Sequence, residues 1–161
     1  MYTILTWPNE ILTRKLELVG AVDEATKLQA KEITKVLIAN AGLGLTASQI
    51  GIDKAMFAYM QGEHIKFMAD PSLTYVSEEI DYKHEGCLSI PRVNVRIGRP
   101  KKITVQYLDL DNVIHTDSFE GLEARVIQHE IDHTNGITIL DRVSRVTRQI
   151  LLDKYYKKRL K

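Results

Sequence analysis

The chain lacks several features that would place it in a specialised class of protein. It has a single cysteine, Cys87, which cannot form an internal disulfide and is therefore a buried filler, a free thiol or a metal ligand. The formal net charge is only +1, so global electrostatics give no reason to expect nucleic-acid binding. No apolar run is long enough to span a membrane, and the start has no basic segment followed by an apolar one. The expected location is cytoplasmic. For an organellar or a viral protein, the expected location is the organelle or the cytoplasm of the host.

The remaining composition is that of an ordinary globular protein. Hydrophobic residues make up 44% of the 161 positions and charged residues 27%. A chain of this length can bury a proper core as one unit. We therefore expect a single domain over residues 1–161.

The most informative stretch is a His-Glu-x-x-His pattern inside a predicted helix from about residue 120 to residue 135. His129 and His133 lie four residues apart, so they share one helix face and can hold one metal ion, while Glu130 can act on a water. Such a pattern also arises by chance on surface helices, where the histidines are merely solvated. The surrounding apolar residues favour a buried helix instead, and buried His and Glu are costly unless they are paired or ligating.

A catalytic site of this type needs a third protein ligand and one open position. Proteases that extend the pattern to His-x-x-Gly-x-x-His have a third histidine where this chain has Ile139. Another class takes a glutamate from a later helix, but the later acids are only Asp141 and Asp153. Cys87 is therefore the natural third ligand, as a thiolate stabilised by the charge of the metal.

The flanking patterns indicate both helices and strands. An amphipathic helix is predicted over residues 23–40, and two hairpins are predicted, each joining two short strands. Asp70-Pro71 is expected to break a strand, and residues 73–82 to form a further extended segment. The strand pairs of the hairpins are 55–60 with 64–68, and 103–108 with 113–117. The predicted fold is α+β, with mostly antiparallel β-sheets packed around a central helix that carries HEIDH, and with an N-terminal and a C-terminal helix.

Three segments together resemble the motifs of the peptide deformylases, in order and in spacing. They are Gly42–Gln49 (GLGLTASQ), Glu85–Ser89 (EGCLS) and Gln128–His133 (QHEIDH). By itself the first segment also fits a helix cap and turn, or a backbone edge that receives an extended peptide. The chain departs from the family pattern at Thr46, where Ala is usual, and at Thr134, where Leu is usual. These changes are expected to alter packing behind the loop and at the helix end, and neither removes a reacting group.

The resemblance implies a metal-dependent hydrolase that removes the N-formyl group from the formylmethionine of newly made polypeptides. Cys87, His129 and His133 would hold one divalent metal, with water in the fourth position. Glu130 would take a proton from that water and deliver it to the leaving amine. The Gln49 side chain and the Leu88 N–H would stabilise the oxyanion.

The resemblance also implies a peptide site. The substrate would lie as an added strand near Leu43, Gly44 and Gly86, and its Met side chain would enter an apolar pocket lined in part by Leu122 and Val126. Glu85 is counted with these substrate-binding residues. Glu85 is also expected either to pair with Arg99, orienting the Cys87 loop, or to be solvated; Asp132 either supports the metal site or lies on the helix surface.

Several alternatives stay open at this point. A Cys/His/His site suits Zn²⁺ by ligand softness, whereas the resemblance favours Fe²⁺, with Ni²⁺ and Co²⁺ also accepted. The other functions are a metallopeptidase, and a non-enzymatic relative with a structural metal, against which intact Glu130 and Gln49 speak. The C-terminal segment from Arg142 to Lys161 reads as a basic helix with Val146, Ile150, Leu151 and Tyr155 on one side. It is either docked with a solvated basic end or, as in bacterial members of the family, in contact with the ribosome.

Overall fold

The fold is built from helices and two antiparallel sheets. In the computed structural model the backbone is described for residues 2–159 and the side chains for residues 2–157. The helices are α1 (Glu24–Ala39), α2 (Gly121–Thr134) and α3 (Arg145–Arg159). The strands are β1 (Gly44–Thr46), β2 (Met56–Gln61), β3 (His64–Val76), β4 (Ile80–Cys87), β5 (Ile90–Pro100), β6 (Lys102–Leu108) and β7 (Ile114–Glu120). Short 3₁₀ turns occupy Glu10–Thr13, Ala47–Ile50 and Ile139–Asp141.

One sheet has five strands in the order β1-β2-β3-β6-β7, and the other pairs β4 with β5. Every pairing is antiparallel. Helix α2 buries Ala124, Ile127 and Ile131 in one core with the five-stranded sheet, while Cys87 lies in a second core formed by β4, β5 and α3. The α+β prediction is therefore confirmed, with the HEIDH helix at the centre.

Helix α1 follows from local sequence signals. The Asp23 side chain caps the helix by accepting a hydrogen bond from the Thr26 N–H at 2.8 Å. Ala30, Ile33 and Leu37 recur at helical spacing, and all three are buried. Through Ile33 and Leu37, α1 packs against β1 and β2, on the buried side of the segment Gly42–Gln49.

The middle of the chain differs from the prediction in two places. Strand β3 runs through Asp70-Pro71, so the predicted break there is wrong. The register between β3 and β6 shifts after Ala69, and this bulge accommodates the proline, which has no N–H to donate. Residues 73–82 are divided between β3 and β4 and are not one segment.

Strand β5 was not predicted from the sequence, in which Gly86 and Pro91 indicate only an irregular strand end. In the fold, β5 and β4 form a long hairpin that carries Cys87 at the end of β4. Val93, Val95 and Ile97 alternate with exposed residues along β5, which is the pattern of a half-buried strand.

Helix α3 is confirmed as an element, but its inward side differs from the prediction. Val146 is 71% exposed and Ile150 is also exposed, whereas Tyr155 is buried and donates a hydrogen bond to the Trp7 carbonyl at 2.8 Å. The basic residues Lys158, Arg159 and Lys161 have side chains outside the described ones. Across the described residues, none of the helices is both long and apolar enough to cross a membrane.

Candidate metal and catalytic site

Three side chains from two elements converge at the centre of the molecule. Cys87 comes from the end of β4, and His129 and His133 come from one face of α2. Their ligand atoms all lie within 4.8 Å of one another, and the Cys87 Sγ is 3.3 Å from the His133 Nε2. A thiolate with two imidazoles is a donor set suited to Zn²⁺ or Fe²⁺, so the residues fit a metal ion.

The electrostatics of the cluster favour a thiolate. Burial alone would raise the pKa of the Cys87 thiol, but the charge and hydrogen bonds of His133 and His129 outweigh it and hold that pKa well below 9.0. Burial opposes the charged form of His129 in turn, yet its contacts with Cys87 and Glu85 raise its pKa well above 6.5. The thiolate is the form of cysteine that binds metals.

The His129 ring is oriented by a buried carboxylate. His129 Nδ1 lies 3.0 Å from Glu85 Oε2, which leaves Nε2 for the cluster. Arg99 donates to Glu85 through Nε at 2.7 Å and to Asp132 through Nη1 at 2.7 Å. Burial opposes the charge of Glu85, but the Arg99 and His129 hydrogen bonds keep the pKa of this carboxyl far below its usual value. Glu85 and Asp132 are therefore both buried and paired with Arg99. The alternatives of a solvated Glu85 and an Asp132 on the helix surface are wrong.

Arg125 also belongs to this network, and the sequence interpretation missed it. Its Nη1 donates to Glu85 Oε1 at 2.7 Å and to the Ile97 carbonyl at 3.0 Å. Arg125, His129 and His133 are spaced four residues apart, so they follow one helix face. From the sequence alone, this spacing could have indicated that Arg125 lies on the same helix face as the two histidines.

Glu130 is buried beside the cluster and packs against β1. Burial raises the pKa of its carboxyl, opposed by the nearby charges of His129 and His133. The Thr46 hydroxyl donates to Glu130 Oε2 at 2.7 Å, a contact that the sequence interpretation did not anticipate. A Cβ on Gly44 would lie 2.8 Å from the Glu130 Cγ and Cδ, so the glycine allows β1 to approach the carboxylate closely.

The Gln49 amide is held in a fixed orientation. Its Oε1 accepts a hydrogen bond from the Thr46 N–H at 2.9 Å, which turns Nε2 towards Ser89 Oγ at 3.1 Å and Cys87 Sγ at 3.7 Å. The amide N–H groups of Gln49 therefore point towards Ser89 and Cys87. Leu88, the residue after Cys87, is half-buried and lines the same pocket.

The cluster opens into a pocket of about 470 Å³. The predicted substrate-binding residues all line it; they are Leu43, Gly44, Glu85, Gly86, Leu122 and Val126. Leu43 and Leu122 are more than half exposed at its mouth, whereas Val126 is buried. Strand β1 lies at one edge of the five-stranded sheet, so its second edge is free of any described strand.

The fold and the site together define a class. It consists of α+β proteins in which a central His-Glu-x-x-His helix and a cysteine from a neighbouring hairpin form a cluster able to hold a metal ion.

Comparison with known proteins identifies the family. The family model described as polypeptide deformylase matches residues 1–149. The peptide deformylase of Treponema pallidum (strain Nichols) is 38% identical over 144 residues, covering 89% of each chain. The crystal structure of the Ehrlichia chaffeensis peptide deformylase in complex with actinonin is 32% identical, with a TM-score of 0.93, over 98% of this chain and 97% of that one. A probable peptide deformylase from Synechococcus phage S-SSM7 is 33% identical, with a TM-score of 0.85, over 89% of this chain and 100% of that one. The chain belongs to the polypeptide deformylase family.

Proposed function

We propose that this protein removes the formyl group from the N-terminal formylmethionine of newly made polypeptides and releases formate. Residues 1–161 would act as one catalytic domain. The observation that supports this most strongly is the common pocket: Cys87 and His129 of the cluster line it together with Glu130 and Gln49, and the His133 ligand atom lies within 4.8 Å of those of Cys87 and His129. Family membership supports the same assignment.

Cys87, His129 and His133 would hold one divalent metal, proposed to be Fe²⁺, with Zn²⁺, Ni²⁺ or Co²⁺ as substitutes. When bound, the ion would supply Lewis-acid chemistry, which polarises a carbonyl and makes water a stronger nucleophile at neutral pH. Glu85 would hold the His129 ring so that Nε2 stays available, and Arg99 and Arg125 would hold Glu85.

Glu130 would act as general base and then as general acid. Burial raises the pKa of its carboxyl, which makes the carboxylate a stronger base. It would take a proton from the attacking water and deliver it to the nitrogen of the leaving amine as the formyl C–N bond breaks. The Gln49 Nε2 and the Leu88 backbone N–H would donate to the oxyanion, and loss of one such donor typically costs about 100- to 1000-fold in rate.

The pocket residues would position the peptide. Leu43, Leu122 and Val126 offer an apolar surface for the Met side chain. The free edge of β1 at Gly44, together with Gly86, would accept the peptide backbone as an added strand. Contact between the basic helix α3 and the ribosome stays a prediction.

Formate release tests the proposal directly. The protein is purified without oxygen in the presence of Fe²⁺ or Ni²⁺, and formyl-Met-Ala-Ser is compared with acetyl-Met-Ala-Ser. The expected result is formate from the formyl peptide and no cleavage of the acetyl peptide. The Glu130→Ala variant should bind the same amount of metal and lose about 100- to 10,000-fold in kcat, since general acid–base catalysis contributes that much.

Two results would contradict the proposal. Metal bound at one ion per chain without formate release would favour a peptidase or a structural metal site, and a screen of unmodified peptides would separate these. Full activity of Glu130→Ala would remove Glu130 from the reaction.

A further inference from the structure

We propose that Thr46 is a positioning residue for Glu130: its hydroxyl occupies one carboxylate oxygen, Oε2, so that proton transfer uses the other oxygen, Oε1. This inference rests on the proposed function, because it concerns the group that would move the proton. Thr46 on β1 contacts Glu130 on α2. Thr46 is fully buried, and its Oγ1 lies 2.7 Å from Glu130 Oε2 and 3.2 Å from the Glu130 carbonyl oxygen.

The hydroxyl has one proton and therefore donates to one of these two acceptors. The carboxylate oxygen is the closer, and a hydrogen bond to an ionised group is the stronger of the two kinds. The donation therefore goes to Oε2.

The backbone of β1 restrains the carboxylate from another side. The space where Gly44 would carry a Cβ is filled by the Glu130 carboxylate, and Oε1 is the atom nearest to that space. Gly44 and Glu130 both line the pocket. The carboxylate is thus held between the Gly44 backbone and the Thr46 hydroxyl, with Oε1 on the side of Gly44.

The chemical consequence concerns where the proton resides. The torsion that rotates a glutamate carboxylate is broad and roughly two-fold, so an unrestrained group exchanges its oxygens. A hydrogen bond to Oε2 removes this freedom and leaves Oε1 as the carboxylate oxygen that the Thr46 hydroxyl does not occupy. The proton taken from water would then stay on the oxygen that delivers it to the amine.

Substitutions at Thr46 separate this role from packing. Thr46→Val keeps the shape and removes the hydroxyl, Thr46→Ser keeps the hydroxyl, and Thr46→Ala leaves space that a water can enter. None removes the backbone N–H that holds Gln49. Thr104→Val is the matched control, because Thr104 is on β6 and its hydroxyl bonds to Ser118 on the surface.

The assay is steady-state formate release from formyl-Met-Ala-Ser, with metal content and thermal unfolding measured for each protein. We expect Thr46→Val to lose about 10- to 100-fold in kcat, a part of the full general-base contribution, with KM within about twofold of wild type. Thr46→Ser should restore kcat to within about threefold, and Thr46→Ala should lie between them, since water can replace the hydroxyl. In a crystal structure of the wild-type protein, the Glu130 carboxylate should have one orientation. In a crystal structure of Thr46→Val, it should be rotated or should have two orientations.

The outcomes decide the inference separately from the proposed function. Wild-type kcat in Thr46→Val, or a loss of kcat that Thr46→Ser does not restore, overturns the positioning role. Inactive wild-type protein would refute the proposed function instead. In that case the crystal structures still decide the restraint, because an unchanged carboxylate in Thr46→Val overturns it.

Discussion

Replacing Gly44 by alanine is the sharpest test of how closely β1 approaches the Glu130 carboxylate. The new Cβ would lie 2.8 Å from the Glu130 Cγ and Cδ, whereas ordinary contact begins at 3.4 Å. Gly44 has no positive φ, so alanine adds no backbone strain there. The perturbation therefore falls on the Glu130 side chain.

The structure sets the size of the effect. Glu130 must move by at least the difference between those two distances, about 0.6 Å. The Glu130 side chain is buried and is hydrogen-bonded to Thr46, so it cannot avoid the new Cβ by moving into solvent. A misplacement of about 1 Å can cost about 100-fold in rate, so we expect kcat to fall about 10- to 100-fold. The overpacking should also lower the free energy of unfolding by about 1–3 kcal/mol.

The assay compares Gly44→Ala with Gly86→Ala, both glycines lining the pocket. A Cβ on Gly86 would meet its nearest atom, the Val93 carbonyl oxygen, at 3.6 Å, which is ordinary contact. Gly86→Ala should therefore leave the free energy of unfolding close to wild type and raise KM by crowding the peptide. Formate release gives kcat and KM, and urea unfolding gives stability. A Gly44→Ala protein with wild-type kcat would refute the reasoning.

Three further predictions concern the buried ion pairs, the β6–β7 turn and Cys87. Arg99→Leu removes one guanidinium from each of two buried carboxylates, Glu85 and Asp132. These keep Arg125 and Arg142 as their remaining partners, so urea unfolding should give a free energy lower by up to about 3 kcal/mol. The His115 hydrogen bond, followed by backbone donors, lowers the pKa of Asp109 below 3.8, so its stabilisation is present above that value and is lost as the pH falls through the lowered pKa. Urea midpoints of wild type should therefore fall more steeply than those of Asp109→Asn as the pH is lowered from about 5. Cys87, the single cysteine, should react with a disulfide reagent at one thiol per chain only after a chelator removes the metal.

Each of these has its own control and its own contrary result. Arg96→Leu, on the exposed face of β5, is the control for Arg99, and equal losses from both would contradict a special role for the buried pair. Parallel pH profiles for wild type and Asp109→Asn would exclude the Asp109 carboxylate as the cause. Rapid thiol reaction in metal-loaded protein would argue against Cys87 as a ligand.

The elements that could be predicted from the sequence are those that local signals specify. Helix α1 has its cap and its apolar face within one segment, and the β6–β7 hairpin needs only two alternating runs and a turn. The pairing of β4 with β5 as a separate sheet was not predicted, because Pro91 suggested irregular structure. The extension of β3 through Pro71 was likewise missed, because the bulge that tolerates this proline depends on the partner strand β6.

The buried ion network could be predicted only in part, because its members are far apart in the chain. Glu85 and Arg99 are 14 residues apart, and Arg99 and Asp132 are 33 apart. Their contact depends on how β4, β5 and α2 meet. One signal was nevertheless present: Arg99 continues the inward alternation of β5, and an arginine that faces a core needs carboxylate partners.

The contact between Thr46 and Glu130 was missed for a different reason. The first motif was interpreted as a turn or a peptide-receiving edge, and neither interpretation specifies which side chains face the same way. In the structure Gly44 and Thr46 belong to one strand. Residues two apart in a strand point to the same side, so the missing side chain of one and the hydroxyl of the other both meet Glu130. Three residues of extended backbone therefore do two things at once: their free edge borders the pocket, and their inward side restrains the carboxylate on which the proposed reaction depends.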